Sequence, residues 1–185
     1  LVDNILGPNK KPTFEVQNIH IVLENVISLI QHELNQEGID ISKDYDPSIP
    51  DLYIDTYLLE QSILNLVKNA KESLMESDMI GPKIKIQTRI LRQEFLGKSK
   101  YKTVCKVTVQ DNGPGIPDNM KDSIFFPMIS GKNQGSGLGL SITQGIVSQH
   151  KGTVRFKSEP GKTEFSILIP TKNNISKVQT RKVSV

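Results

Sequence analysis

Asn65 and Asn69 stand four residues apart, so on a helix both project from one face. Two carboxamide oxygens stacked in this way can ligate a hard cation without adding charge. Magnesium takes oxygen ligands and is commonly shared with substrate phosphates, which makes it the natural candidate. Taken alone, two solvent-facing asparagines would look the same, although asparagine is a mediocre helix former and two mid-helix copies call for a reason. A second stretch, Asp111-Asn112-Gly113-Pro114-Gly115-Ile116-Pro117, follows a strand-like alternation. A carboxylate at a strand end can accept from an exocyclic amine, and Gly113 and Gly115 would let backbone approach a flat ring closely. An ordinary Asp-Asn-Gly turn is the competing explanation. The third stretch, Gly135-Ser136-Gly137-Leu138-Gly139-Leu140, leads into a helical pattern. Free N–H groups and the dipole at a helix start favour phosphate oxygens. This stretch does not follow a strand, so it is not the dinucleotide fingerprint, and no Gly-x-x-x-x-Gly-Lys-Ser/Thr occurs, which excludes a P-loop.

These residues need elements to hold them. Phe14 to Gln17 suits a short strand. Ile19, Val22, Leu23, Val26, Leu29 and Ile30 recur at helical spacing across Ile19 to Leu34. Ile39 to Ser42 alternates like a strand, and Asp46-Pro47 and Ile49-Pro50 force turns. Residues 55–77 form a second helix with Leu59, Ile63, Leu66, Ala70 and Leu74 as its apolar stripe, and the two asparagines lie off that stripe. Lys83 to Phe95 and Lys102 to Gln110 alternate around a Gly97-Lys98-Ser99-Lys100 turn, the signature of a hairpin. Residues 112–138 carry many glycines and no clear period, and long connections of that kind are functional or disordered. Leu138 to His150 reads as a helix. Thr153 to Phe156 and Glu164 to Ile169 read as strands about a Pro160-Gly161 turn. This order predicts a two-layer α/β sandwich, with helices on one face of a mixed, largely antiparallel sheet.

Residues 14–170 would make the domain. Residues 1–13 would be the end of an upstream helical element, halted at Gly7-Pro8, and its linker. Residues 171–185 hold Lys and Arg but no acid and suit a loose tail. With 36% hydrophobic and 23% charged residues, a packed core is feasible. The net charge of +3 and 5% aromatic content, without a basic-aromatic stripe, argue against nucleic acid as a partner. The lone cysteine, Cys105, forms no internal disulfide and fits a small core position in a reducing cytoplasm. No run approaches the ~20 apolar residues of a membrane helix, and no signal peptide is visible.

The order of the motifs is more specific than any one of them. The paired-asparagine helix, the Asp111-x-Gly113-x-Gly115 turn, a long lid with Ile124-Phe125-Phe126-Pro127-Met128, and the Gly135-x-Gly137-x-Gly139 helix start come in sequence. Gly161-Lys162-Thr163-Glu164-Phe165 closes the series. Over roughly residues 14–170 this resembles the boxes of histidine-kinase ATP-binding domains, members of the superfamily of gyrase, Hsp90, histidine kinases and MutL. Asp44-Tyr45-Asp46-Pro47-Ser48-Ile49-Pro50, Phe126-Pro127-Met128-Ile129-Ser130-Gly131 and the opening Leu1-Val2-Asp3 to Leu6-Gly7-Pro8 further resemble the nitrogen-regulation sensor kinases.

The resemblance implies the Bergerat (GHKL) fold with a long ATP lid, and ATP and Mg2+ as ligands. It implies that Asp111 binds the adenine amino group, with Gly113, Gly115 and Thr163 helping. Asn65 and Asn69 would hold magnesium and the phosphates, with either as the direct ligand. Gly135, Gly137 and Gly139, with Leu138 between them, would let the lid wrap the triphosphate. Lys132 in the lid and Lys68 beside Asn69 are cations suited to phosphate, unless they are simply solvent-exposed. Some relatives carry a lysine three residues after the second asparagine, where Glu72 stands here. The Phe125–Met128 knot could anchor the lid, dock on a helical partner domain, or pack on its own sheet.

The implied reaction is phosphoryl transfer from ATP to a histidine, which is mostly a matter of positioning and charge neutralisation. His32-Glu33-Leu34-Asn35 lacks the basic residue and the proline of a phosphoacceptor box. The acceptor is therefore expected on an upstream dimerisation domain, through which alone the protein would form a homodimer. A response-regulator receiver domain and a PII-type signal protein are the further partners implied. Gyrase-type and Hsp90-type ATPases place a glutamate where Asn65 stands, and an amide cannot take a proton from water. A nucleotide-gated interaction module is the remaining alternative.

Overall fold

A computed structural model describes residues 11–77, 80–128 and 137–171. Chain entry is tied down at Thr13, whose N–H donates to Asp55 Oδ2 at 2.6 Å. β1 (Glu15–Gln17) leads through Asn18, whose side chain caps α1 (Ile19–Gln36) by accepting from the His20 N–H. The buried stripe of α1 runs through Ile19, Val22, Leu23, Val26, Ile27, Ile30 and Leu34. Leu29, expected in that stripe, is 70% exposed, because Ile27 and Ile30 face the core and Leu29 falls beside them. β2 (Asp40–Asp44) follows, then β3 (Leu52–Ile54), a strand too short for its alternation to stand out next to Pro50.

α2 (Thr56–Met75) starts at Asp55, whose Oδ1 accepts from the Leu58 N–H at 2.9 Å. The expected stripe of Leu59, Ile63, Leu66, Ala70 and Leu74 is buried in full. β4 (Lys83–Leu96) and β5 (Ser99–Asp111) form the hairpin, with Gly97 at φ +59° in the turn. One helical turn, α3 (Asp118–Lys121), interrupts the segment without clear period; four residues are too few to display one. α4 (Gly139–Gln149), β6 (Thr153–Glu159) and β7 (Lys162–Pro170) complete the order.

The main sheet runs β2-β4-β5-β7-β6, with β2–β4 parallel and the other pairs antiparallel; β1 and β3 form a separate antiparallel pair. Ile84, Ile86, Val107, Val109, Phe165 and Ile167 join the buried stripes of α1 and α2 in one core. Cys105 lies in that core fully buried, and burial pushes its thiol up to about 12. α4 begins beside the middle of α2 and ends at its N-terminus, where the buried His150 Nε2 accepts from the Asp55 N–H at 3.0 Å. The result is the two-layer α/β sandwich.

Candidate nucleotide-binding site

Asp111 is the last residue of β5, paired in register with Ile84 on one side and Thr163 on the other. Both polar side chains are buried, at 4% exposure each. Residues directly opposite on antiparallel strands bring their side chains to the same face, so a carboxylate and a hydroxyl stand side by side at the sheet's end. Asp111 Oδ1 accepts from the Gly113 N–H at 2.8 Å. A Cβ on Gly113 would lie 2.7 Å from that oxygen and 3.1 Å from Ser73 Oγ of α2. Gly115 has φ +87°, and a Cβ there would come within 3.0 Å of the Glu159 carbonyl. Glycine is therefore required at both places, by crowding at the first and by crowding together with the left-handed backbone at the second.

This turn is held on three sides. Asn112 Oδ1 accepts from the Lys83 N–H at 2.7 Å, and its Nδ2 donates to the Gly81 carbonyl. The Gly161 N–H donates to the Gly113 carbonyl at 2.9 Å, and the Ile116 N–H donates to Ser158 Oγ at 2.8 Å. Ser73 and Leu74 close the third side. Sequence reasoning missed Asn112, Ser158 and Ser73. Ser73 was findable, since it continues the Asn65, Asn69 spacing by another four residues.

Asn65 and Asn69 are half-buried and face the start of α4. Asn65 Nδ2 donates to the Gly139 carbonyl at 3.4 Å, which turns Oδ1 the other way. A Cβ on Gly139 would lie 3.8 Å from Asn65 Cγ and 3.9 Å from Asn69 Oδ1. The third glycine of the motif thus keeps the helix start close to both carboxamides. α4 has no side-chain cap hydrogen bond from Leu138, unlike α1 and α2, which Asn18 and Asp55 cap.

The ends of the lid meet. The Met128 N–H donates to the Gly137 carbonyl at 3.1 Å, and both residues have positive φ, +64° and +65°. Ile124 is buried and Phe125 packs edge-on against Phe156 at 5.9 Å, whereas Phe126 and Met128 are 60% and 77% exposed. The knot therefore divides: its first half packs on the parent sheet and its second half faces outward. Lys132 and Gly135 lie outside the described residues. Lys68 is exposed, and the ion-paired Lys71, with a smaller contribution from Lys68, holds the Glu33 carboxyl below the usual range.

Residues 54–173 match the family model described as histidine kinase-, DNA gyrase B-, and HSP90-like ATPase. The chain belongs to this family. Among its relatives in that family, the "Sensory histidine kinase/phosphatase NtrB" of Escherichia coli O157:H7 is 42% identical over 170 residues, 92% of this chain and 48% of the relative. The chain therefore spans about half the length of the curated relatives it matches. The nucleotide-free catalytic domain of histidine kinase ThkA has a TM-score of 0.71 at 28% identity, covering 86% of this chain and 96% of that one. ThkA solved with the response regulator protein TrrA also gives 0.71, at 25% identity, covering 92% of this chain and 46% of that one.

Within this family the donor set fits a magnesium nucleotide. Among the described residues no group of three or more His, Cys, Asp or Glu could hold a metal ion alone. Two carboxamides are too few for magnesium by themselves but suit an ion that also takes phosphate and water oxygens. None of the three histidines is at the site. His32 is exposed on α1, His20 stacks on Tyr45 at 4.7 Å, and His150 is buried at the far end of α4.

Proposed function

We propose that this chain is the ATP-binding catalytic domain of a sensor histidine kinase of the NtrB kind, with residues 14–170 as the domain. The observation that carries the reading is the register pairing of Asp111 with Thr163 at the sheet's end, where the Gly113 turn lies against Ser73 of α2, with Asn69 and Asn65 one and two turns back along the same helix beside Gly139. Asp111 accepts from the adenine amino group, Thr163 assists, and Gly113 and Gly115 admit the flat ring. Asn65 and Asn69 hold Mg2+ and phosphate oxygens, Gly137, Leu138 and Gly139 present the helix start to the triphosphate, and Gly135 and Lys132 act from the lid. ATP supplies the phosphoryl group and Mg2+ neutralises its charge. The residues of this chain bind, orient and exclude water, and no proton-accepting side chain is needed, because an imidazole is already a nucleophile. An amide at position 65 in place of a general base keeps hydrolysis slow.

The acceptor histidine belongs to a separate upstream dimerisation domain. The ThkA–TrrA complex supports a response regulator as the next partner; nitrogen control through a PII-type protein, in the cytoplasm, completes the proposal. No helix among the described residues is long and apolar enough to cross a membrane. The test is to mix this chain with a separately produced acceptor domain and γ-labelled ATP. Label on the acceptor histidine, with little free phosphate, is expected. Binding without transfer would instead favour a nucleotide-gated interaction module, and rapid phosphate release a GHKL-type ATPase.

A further inference from the structure

We infer that Ser158 is a specificity-determining residue that sets which way the Thr163 hydroxyl points its proton, and so makes the site select adenine over guanine. This rests on the adenine reading of Asp111 and Thr163. Ser158 and Thr163 are register partners across β6 and β7, and their hydroxyl oxygens are 2.9 Å apart. Ser158 Oγ also accepts from the Ile116 N–H at 2.8 Å. A serine hydroxyl has one proton and two lone pairs. With one lone pair taken by Ile116, its proton has a single acceptor among the described residues, Thr163 Oγ1.

Two proton arrangements are possible. If Thr163 donates to Ser158, the Ser158 proton has no partner, and Thr163 shows the cleft only lone pairs beside the lone pairs of Asp111. If Ser158 donates to Thr163, every Ser158 bond is made, and the Thr163 proton is free to point at a ligand. Leaving a polar hydrogen unpaired in a half-buried site is the costlier choice. In the second arrangement, which we adopt, the sheet's end presents an acceptor at Asp111 next to a donor at Thr163.

An adenine edge offers the reverse pattern, an amino donor next to the N1 acceptor. A guanine edge offers a carbonyl oxygen next to an N1–H donor, so its oxygen would face the carboxylate and its N–H would face the threonine proton. Mismatched buried polar groups discriminate far more strongly than size differences do. Ser158 touches no ligand in this account; it acts through Thr163, while its lone pair holds the Ile116 end of the glycine turn.

The experiment is a double-mutant cycle on the whole chain, measuring Kd for Mg·ATP and Mg·GTP by calorimetry. Wild type should prefer ATP. Ser158→Ala should lower the ATP-to-GTP affinity ratio by about tenfold, and Thr163→Val should lower it at least as far. Ser158→Ala added to Thr163→Val should change the ratio no further, and Ser158→Thr, which restores the hydroxyl, should keep wild-type preference. An unchanged ratio in Ser158→Ala, an additive double mutant, or loss of preference in Ser158→Thr overturns the inference. If Ser158→Ala does not fold, the Ser158→Thr arm decides. A wild-type protein that binds both nucleotides equally would instead sink the underlying adenine assignment.

Discussion

At Gly115 crowding and a left-handed backbone coincide. Its φ of +87° and the 3.0 Å approach of its missing Cβ to the Glu159 carbonyl leave no room for a side chain. Gly115→Ala should therefore cost ~1–3 kcal/mol in a urea melt, and should weaken nucleotide binding further, because the turn that holds Ile116 against Ser158 must shift. Gly161→Ala is the control: it has the same left-handed backbone, φ +85°, but nothing within 4 Å of a Cβ, so it should bear the stability loss and keep more of the binding. Residues such as Asp111, Gly113 and Gly115 were legible in the sequence because their types are unusual at that spacing. Asn112 and Ser158 were not. Both act by hydrogen bonding to backbone distant in sequence, Lys83 of β4 and Ile116 of the loop after β5, and nothing local distinguishes them from common turn and strand polar residues.

At the scale of elements, α2 does most to order the candidate site. Asp55 starts it, and one side chain serves two partners there, the Leu58 N–H of α2 and the Thr13 N–H of the entering chain. Its backbone N–H meets His150 at the end of α4. Asp55→Ala should destabilise the domain by about 1–2 kcal/mol through loss of the cap, seen as a lower urea midpoint, while Asp55→Ser, which keeps a capping oxygen, should lose less. Long elements with a repeating period, such as α1, α2, β4 and β5, were readable to within a few residues. β3 and α3 were not, since three and four residues cannot show a period, and tertiary pairing with β1 is what defines β3. Leu29 fitted the spacing of α1 and is nonetheless exposed, because the stripe's direction is set by what α1 packs on, which a single helix does not encode.

For the molecule as a whole, pH reports how two distant histidines are held. His150 is buried, accepts at Nε2 from Asp55, and so carries its proton on Nδ1, which donates to the Ile146 carbonyl at 2.8 Å. Burial lowers its pKa below the ordinary 6.5, and burial does the same for His20. A histidine depressed in the folded state contributes stability that is fully present above 6.5 and is lost as the pH falls through 6.5 toward the folded value. The melting temperature should therefore drop between about pH 7.5 and pH 5.5, and more shallowly in His150→Gln. The two-layer architecture followed from the order of periodic segments, but the convergence of the site did not. Asp111, Thr163, Asn65 and Gly139 come from four elements, and the antiparallel register and the packing of α4 on α2 bring them together. That convergence is best tested by calorimetric titration of Mg·ATP into the wild-type chain and into Asp111→Asn. Asparagine keeps the oxygen that accepts from Gly113 and removes the charge facing the base. One magnesium-dependent site is expected in wild type, with affinity reduced by about a hundredfold or more in the folded variant. Equal affinity in the two proteins would contradict the account.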